Sequence, residues 1–274
     1  MSLATITDLL DTPAVRGRAV GCFDVFSPEC VGPIVAAAES EELPVVLAID
    51  EATGRAAGFD LLALAALARA RTALVPVAVH LNHARRLETV LDALDHGFTS
   101  VMFDGSELPF ADNLALTRKA AQLAHRVGAD IEGQLGELDA ADLEEMSSLP
   151  LEECVKRFVQ ETAVDLLAFD LPRCGANDAA EAELALVRRV LCRPAGLVLH
   201  GASRMVSDAL DQAIGLGVRK VNVHTELHQA FRAGLAEGLA AAGSGARGVL
   251  DCARDHVERF ARRQMRLYAG RSGS

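Results

Sequence analysis

The regular alternation of short apolar stretches with helical patterns constrains the fold more than any other feature of the sequence. Eight stretches are predicted to be strands, and they cover residues 19–26, 44–49, 75–82, 100–103, 130–135, 165–171, 196–200 and 220–223. Helices are predicted between them, over 28–42, 59–71, 85–96, 110–127, 151–162, 179–192 and 206–215. Continuous apolar strands in strict alternation with helices are typical of a parallel sheet that is covered on both faces.

Eight such repeats over roughly 250 residues predict an α/β fold of the (β/α)8 TIM-barrel class. We expect residues 1–274 to form a single domain, with a leading helix over 4–16 and two extra C-terminal helices over 226–242 and 248–268. A doubly wound open sheet is the alternative. It is less favoured because no G-x-G-x-x-G motif follows the first predicted strand.

The composition argues against several classes of partner. The formal net charge is −11, from 27 basic and 38 acidic residues, so neither a nucleic-acid surface nor an anionic membrane surface is expected. No apolar run reaches about 18 residues, and the first residues lack the pattern of a signal peptide, so no membrane segment is expected either. The six cysteines are scattered without a C-x-x-C pair, which favours reduced thiols and a cytoplasmic protein.

Polar residues gather where the predicted strands end. In a parallel barrel the C-terminal ends of all strands meet at one mouth, where the chemistry is placed. The third strand is the clearest case, because its first half is apolar and it ends in His80, Asn82 and His83. The other strand ends would bring to the same mouth Asp24, Asp50, Glu51, Asp104, Ser106, Glu132, Gln134, Arg173, Cys174, His200, Ser203, Asn222, His224 and Thr225.

Six segments carry a resemblance to a known family. In their order and spacing, residues 21–25, 80–83, 101–110, 134–136, 197–203 and 220–226 resemble the class II, zinc-dependent fructose/tagatose-bisphosphate aldolases. The similarity runs from Gly21 to Gly270, so it covers nearly the whole chain. The resemblance implies a cytoplasmic lyase that cleaves a carbon–carbon bond in a phosphorylated ketose, assembled as a homodimer or homotetramer.

The resemblance also implies a zinc site. His83 and His200 stand where the family has two of its zinc-binding histidines, and Cys174 stands nearest to the place of the third. Imidazole nitrogens and a thiolate are ligands that Zn²⁺ accepts, and a zinc ion with an open position polarises a carbonyl. We therefore expect Zn²⁺ as the cofactor, held by His83, His200 and Cys174.

A small phosphorylated substrate is the expected partner. The family's phosphate and substrate contacts fall on Gly201, Ser203, Asn222 and Thr225. A serine and backbone N–H groups that precede a helix are suited to a phosphate. Two further candidates for this part of the site are Gly175, which follows Cys174, and His224, which stands where the family has an aspartate.

The chain departs from the family at the residue that handles protons. The family has an aspartate between its two histidines, and this chain has Asn82, whose amide cannot take up a proton at neutral pH. Asn82 would then orient a substrate hydroxyl, and Asp24, Asp50 or Glu51 would move the proton. The glutamate of the family's Glu-Leu-Gly segment is Gln134.

Three hypotheses follow. The first is an aldolase-like lyase that acts on a phosphorylated ketose or a related hydroxy-keto compound with an altered acid/base and metal site. The second is a catalytically disabled barrel that binds a sugar phosphate or serves as a partner subunit. The third is metal-free chemistry on the same phosphate-binding barrel. We expect His80 and Asp104 to be structural. The spacing of His224, Glu226 and His228 resembles a metal-binding spacing on a helix but lacks the zincin pattern, so a solvated face is favoured there.

Overall fold

Eight parallel strands close into a barrel in the order in which they follow one another along the chain, which confirms the predicted fold. The structure is a computed structural model that describes residues 2–135, 151–170, 196–200, 207–241 and 245–271. Each strand pairs with the next, and the last pairs with the first. The strands are β1 (Val20–Asp24), β2 (Val45–Asp50), β3 (Val77–Ala84), β4 (Ser100–Phe103), β5 (Asp130–Gln134), β6 (Leu166–Asp170), β7 (Gly196–His200) and β8 (Val218–Val223).

Ten helices surround this barrel within the described ranges. They are α1 (Ile6–Leu10), α2 (Pro28–Glu41), α3 (Glu51–Ala57), α4 (Phe59–Arg71), α5 (Leu87–His96), α6 (Phe110–Arg126), α7 (Leu151–Thr162), α8 (Ser207–Gly215), α9 (Thr225–Ala240) and α10 (Ala246–Tyr268). The helix predicted over 179–192 lies outside the described residues. The two extra C-terminal helices are confirmed, as α9 and α10.

Two helix predictions need correction. The leading helix is limited to Ile6–Leu10, where Thr5 and Asp8 form a capping box that fixes its start. The helix α3 was not predicted, and it follows β2 without a connecting loop. Asp50 ends the strand and caps this helix, because its carboxylate accepts the backbone N–H groups of Ala52 and Thr53.

The interior of the barrel holds an apolar core of its own, separate from the larger core between the strands and the outer helices. Side chains alternate along each strand, so Val20 and Cys22 point inward while Phe23 packs outside. Ile6 and Leu9 of α1 complete the inner core and are fully buried. α1 therefore closes the N-terminal end of the barrel, and the polar strand ends lie at the other.

The C-terminal helices pack against the side of the barrel. α10 contacts α9 and α2, and Arg262 and Arg266 of α10 reach Glu41 at the end of α2 at 2.8 and 2.6 Å. These two arginines thus join α10 to the barrel's outer layer. Among the described residues there is no helix with the length and apolar character needed to cross a membrane.

Candidate active site

A break in strand pairing presents His83 at the mouth of the barrel. The register between β3 and β4 shifts between Leu81 and Ala84, which is the irregularity of a β-bulge. At this point His83 takes a φ of 50°, a left-handed conformation that non-glycine residues rarely adopt. The backbone N–H of His83 lies 3.4 Å from the Met102 sulfur. Bulges re-aim side chains beside active sites, and here the bulge re-aims an imidazole.

Asp104 and Ser106 hold the His83 ring in place. The Nδ1 atom of His83 lies 2.8 Å from Oδ2 of Asp104, and the Ser106 hydroxyl donates to the other carboxylate oxygen at 2.6 Å. Burial acts to raise the pKa of Asp104, but its bonds to His83 and Ser106 outweigh burial and lower the pKa to about 2. A carboxylate on one ring nitrogen orients the other toward a ligand, so Nε2 of His83 is the atom available to a metal. The structural role expected of Asp104 follows from this contact.

His200 faces His83 across the mouth. The two ring centroids are 4.9 Å apart and the rings are nearly perpendicular, at 82°. The Nε2 atom of His200 lies 3.3 Å from Oε1 of Glu132 and 3.1 Å from Nδ2 of Asn222. Because Nε2 donates its single proton to the Glu132 carboxylate, Nδ1 is the atom of His200 that remains for a ligand.

A buried polar network supports His200 from below. Glu132, Lys220 and His80 are fully buried, with Lys220 Nζ 2.8 Å from Glu132 Oε2 and 3.4 Å from His80 Nε2. His80 Nδ1 in turn lies 2.9 Å from the Ser100 hydroxyl, in line with the structural role expected of His80. Burial alone would raise the pKa of Glu132, but Lys220 outweighs it and lowers that pKa. Burial lowers the pKa of His80, so its ring is neutral.

A cleft of about 710 Å³ opens beside His83. Asp50, Asp104, Ser106 and Gln134 are among the residues that line it. Asn82 pairs with Asp50 in the register of β2 and β3, so their Cα atoms are neighbours at the strand ends. The structure therefore brings Asn82, His83 and Asp50 together at the mouth, where the strand ends were predicted to place them.

The Glu51 carboxylate is engaged in holding the chain between β3 and α5. It accepts the backbone N–H of Arg85 at 2.7 Å and the Thr89 hydroxyl at 3.0 Å, and it pairs with the side chain of Arg55. Glu51 is only 3% exposed. These contacts occupy both of its oxygens.

Asp24 is engaged by two histidines. Its Oδ2 atom lies 3.0 Å from Nδ1 of His224 and 2.8 Å from Nε2 of His228. Within the described ranges this is the group of three side chains whose ligand atoms lie close enough to hold a metal ion. The side chains of His224 and His228 are 61% and 36% exposed, and both imidazoles turn a nitrogen toward Asp24. His228 was missed as a site residue because its partner is 204 positions away.

The remaining predicted site residues divide into two groups. Asn222 contacts His200, and Thr225 is exposed at the first position of α9, beside His224. Cys174, Gly175, Gly201 and Ser203 lie outside the described residues, so the third expected zinc ligand and half of the expected phosphate contacts are not placed.

The donor set at the mouth fits a zinc ion. Two imidazoles face each other, and each is held through one nitrogen by a carboxylate, which is the usual surrounding of a metal-binding histidine. The side-chain oxygens of Asn82 and Asn222 are buried and accept no hydrogen bond from the part of the chain that is described. Buried polar atoms normally have partners, so these two oxygens indicate a ligand in the mouth.

The fold and the mouth define a class: (β/α)8 barrels with histidines and carboxylates gathered at the C-terminal ends of the strands. The model of the family of class-II fructose-bisphosphate aldolases matches residues 4–273. The chain belongs to this family, which confirms the resemblance drawn from the sequence, and the named relatives described below are lyases of the aldolase type.

Individual relatives support this assignment. The probable fructose-bisphosphate aldolase of Bacillus subtilis (strain 168) is 34% identical over 253 residues, which are 88% of each chain. The 6-phospho-5-dehydro-2-deoxy-D-gluconate aldolase of Shouchella clausii (strain KSM-K16) is 34% identical over 242 residues, 82% of this chain and 80% of the relative. The crystal structure of the YdjI aldolase from Escherichia coli K12 has a TM-score of 0.84 at 27% identity, and the match covers 98% of each chain.

Proposed function

We propose that the protein is an aldolase-type lyase that cleaves a carbon–carbon bond in a phosphorylated ketose or a related hydroxy-keto compound. The observation that carries the proposal is the pair of carboxylate-held imidazoles, His83 and His200, whose centroids lie 4.9 Å apart at the barrel mouth. Membership of an aldolase family supports it. Relatives are named for different phosphorylated sugar substrates, so the family alone does not choose one.

We propose that His83 and His200 hold a zinc ion, with Cys174 as the third ligand. A zinc ion bound there would polarise the carbonyl of the substrate. Asp104 and Glu132 fix the orientation of the two rings. The buried amide oxygens of Asn82 and Asn222 are positioned to accept hydrogen bonds from hydroxyl groups of the substrate.

Among the three candidate bases, Asp50 is the best placed to move the proton. The carboxylates of Asp24 and Glu51 are engaged by other side chains, whereas Asp50 lines the cleft next to Asn82 and His83. In the cleavage step Asp50 would take the proton of the substrate hydroxyl. As that hydroxyl becomes a carbonyl, the bond to the adjacent carbon breaks and its electron pair passes toward the ketone. The departing aldehyde leaves, and protonation of the remaining fragment completes the reaction.

The phosphate end of the substrate is proposed to lie over β7 and β8. Thr225 is the first residue of α9, where unpaired backbone N–H groups favour an anion. Gly201, Ser203 and Gly175 belong to this part of the proposal, and His224 beside Thr225 can donate to a phosphate oxygen. The protein is further proposed to act in the cytoplasm as a homodimer or homotetramer.

The test combines metal analysis with a cleavage assay. Purified protein is supplemented with zinc, its metal content is measured, and aldehyde release is followed with a panel of phosphorylated ketoses. We expect turnover that requires zinc and is lost, with one equivalent of metal, in His83→Gln. Binding of sugar phosphate without turnover would favour the disabled barrel, and turnover that persists without metal would favour the metal-free alternative.

A further inference from the structure

Asp24, His224 and His228 form a compact cluster at the ends of β1 and β8. Asp24 ends β1 and His224 follows β8, and the register of these strands pairs Phe23 with Val223 one position earlier. His228 lies four residues beyond His224, and its backbone N–H donates to the His224 carbonyl in the first turn of α9. Residues four apart share a face of a helix, so both imidazoles turn toward Asp24.

The three candidate donor atoms lie within 4.8 Å of one another, and the two distances to Asp24 are compatible with a coordination sphere. Oδ2 of Asp24 lies 3.0 Å from Nδ1 of His224 and 2.8 Å from Nε2 of His228. Neighbouring ligands in an octahedral site with bonds of about 2.1 Å are about 3.0 Å apart, and in a tetrahedral zinc site about 3.4 Å apart. Two imidazoles and one carboxylate are the ligand set of the facial triads that bind divalent transition metals and leave positions open.

The surroundings hold this cluster in shape. Asp24 is 6% exposed, and the Phe26 ring packs on His228 with the centroids 3.9 Å apart. Phe26 in turn meets Phe231 edge to face at 5.3 Å. The side chain of His224 is 61% exposed, so the cluster is open to solvent on one side. A rigid carboxylate, a packed imidazole and an accessible one together give a preformed site with an entry path.

We propose that Asp24, His224 and His228 bind one divalent transition-metal ion, separately from the His83 and His200 site. The proposal goes beyond the proposed function, because it adds a second metal ion whose ligands are Asp24, His224 and His228, whereas the zinc ligands of the proposed function include His83 of β3 and His200 of β7. An ion held there would be open to solvent on the side of the exposed His224, next to Thr225, so water or an anionic group of a ligand could complete its coordination.

The experiment counts metal ions in the full-length protein. After removal of metal with a chelator, the protein is equilibrated with Zn²⁺ and the bound equivalents are measured, and Co²⁺ is added in parallel to record its visible absorption. The substitution His228→Gln keeps a hydrogen-bonding side chain but removes the ligand nitrogen. The control is His256→Gln, because His256 also pairs with one carboxylate, that of Glu237 at 2.7 Å, on the outer helices.

We expect the wild type and His256→Gln to bind the same number of zinc ions and His228→Gln to bind one fewer, with affinity at this site reduced about 100-fold or more. The Co²⁺ absorption of this site should disappear with it. Since His224 is exposed, His224→Gln serves as a second variant that should fold even where His228→Gln does not. An unchanged zinc count and Co²⁺ spectrum in a folded variant would overturn the proposal.

The metal counts distinguish failure of this inference from failure of the proposed aldolase function. His83→Gln should lose the other equivalent and keep the ion that depends on His228. If no turnover and no metal dependent on His83 were found, the aldolase proposal would fail while this site could still be counted. If only the ion dependent on His83 were found, this inference would fail and the aldolase proposal would stand.

Discussion

At the scale of single residues, Asp50 uses one carboxylate in two ways. Its Oδ1 atom accepts the N–H groups of Ala52 at 2.7 Å and Thr53 at 3.4 Å, which starts α3. Its Oδ2 atom has no hydrogen bond among the described residues, and the side chain lines the cleft beside His83. The two uses can be separated, because asparagine caps a helix as well as aspartate does but cannot accept a proton.

Asp50→Asn should therefore lower kcat for cleavage by about 10²- to 10⁴-fold while the melting temperature stays unchanged. Steady-state kinetics and thermal unfolding measure the two effects. Asp8→Asn is the matched control, since Asp8 belongs to the capping box of α1 at the closed end of the barrel. An Asp50→Asn variant with wild-type kcat would remove Asp50 from the mechanism.

Asn82 offers the complementary test. Its Oδ1 atom is buried and unpartnered by described residues, so a carboxylate at this position would face the same substrate group with the ability to take its proton. We expect Asn82→Asp to raise the rate of aldol cleavage, measured as aldehyde release at saturating zinc. A decrease would mean that the amide itself is needed in the present site.

At the scale of elements, the strand patterns were sufficient to predict all eight strands, but not how β3 ends. The predicted strand stopped at residue 82, whereas β3 continues to Ala84 through a bulge and a φ of 50° at His83. The alternation of apolar and polar residues predicts which face of the sheet a residue occupies. It does not predict where a β-bulge interrupts the strand. In the same way α3 was missed, because its short sequence lacks an apolar stripe and depends on a cap supplied by the last residue of β2.

Glu51 shows what holds this part of the mouth together. Its carboxylate joins α3 to the start of α5 through the Arg85 backbone and the Thr89 hydroxyl, and it is almost completely buried. Glu51→Ala should lower the free energy of unfolding by about 1–3 kcal/mol, because the Arg85 N–H and the Thr89 hydroxyl both lose their acceptor.

The control for this change is Glu107→Ala, measured in the same denaturant titration. Glu107 pairs with the Arg85 side chain at 2.8 Å, but both side chains are more than half exposed. Exposed pairs contribute about 0–1 kcal/mol, so this variant should unfold nearly as the wild type does. Equal losses in the two variants would contradict the structural role assigned to Glu51.

At the scale of the whole molecule, barrel closure decides which distant residues meet. The alternation of elements predicted the barrel, and the positions at strand ends predicted that His83, Asn82 and Asp50 share a mouth. The pairing of Lys220 with Glu132 and of His228 with Asp24 could not be predicted, because each depends on strand register and side-chain direction across the barrel. Closure also places α1 beneath the inner core, a position that its sequence does not indicate.

The attachment of α1 makes stability depend on pH. Asp130 at the start of β5 accepts the backbone N–H of Thr7 at 2.7 Å and its hydroxyl at 2.9 Å, which ties α1 to the barrel. Burial raises the pKa of Asp130 from 3.8 to about 6, although the bonds from Thr7 partly oppose this. Between these two values the folded protein keeps a proton that the unfolded chain has released. The free energy of unfolding contributed by Asp130 is therefore largest in acid and falls as the pH rises toward 6.

Asp130→Asn should remove that dependence, because an amide does not titrate. We expect the wild type to lose stability relative to this variant between pH 4 and pH 6.5, by up to about 3 kcal/mol, in urea titrations at fixed pH. Other titrating groups are common to both proteins and cancel in the difference. Asp92→Asn, on the exposed face of α5, controls for the loss of one charge. A constant difference between wild type and Asp130→Asn across this range would show that the Asp130 carboxyl has the same pKa in the folded and unfolded chains. That result would contradict the prediction.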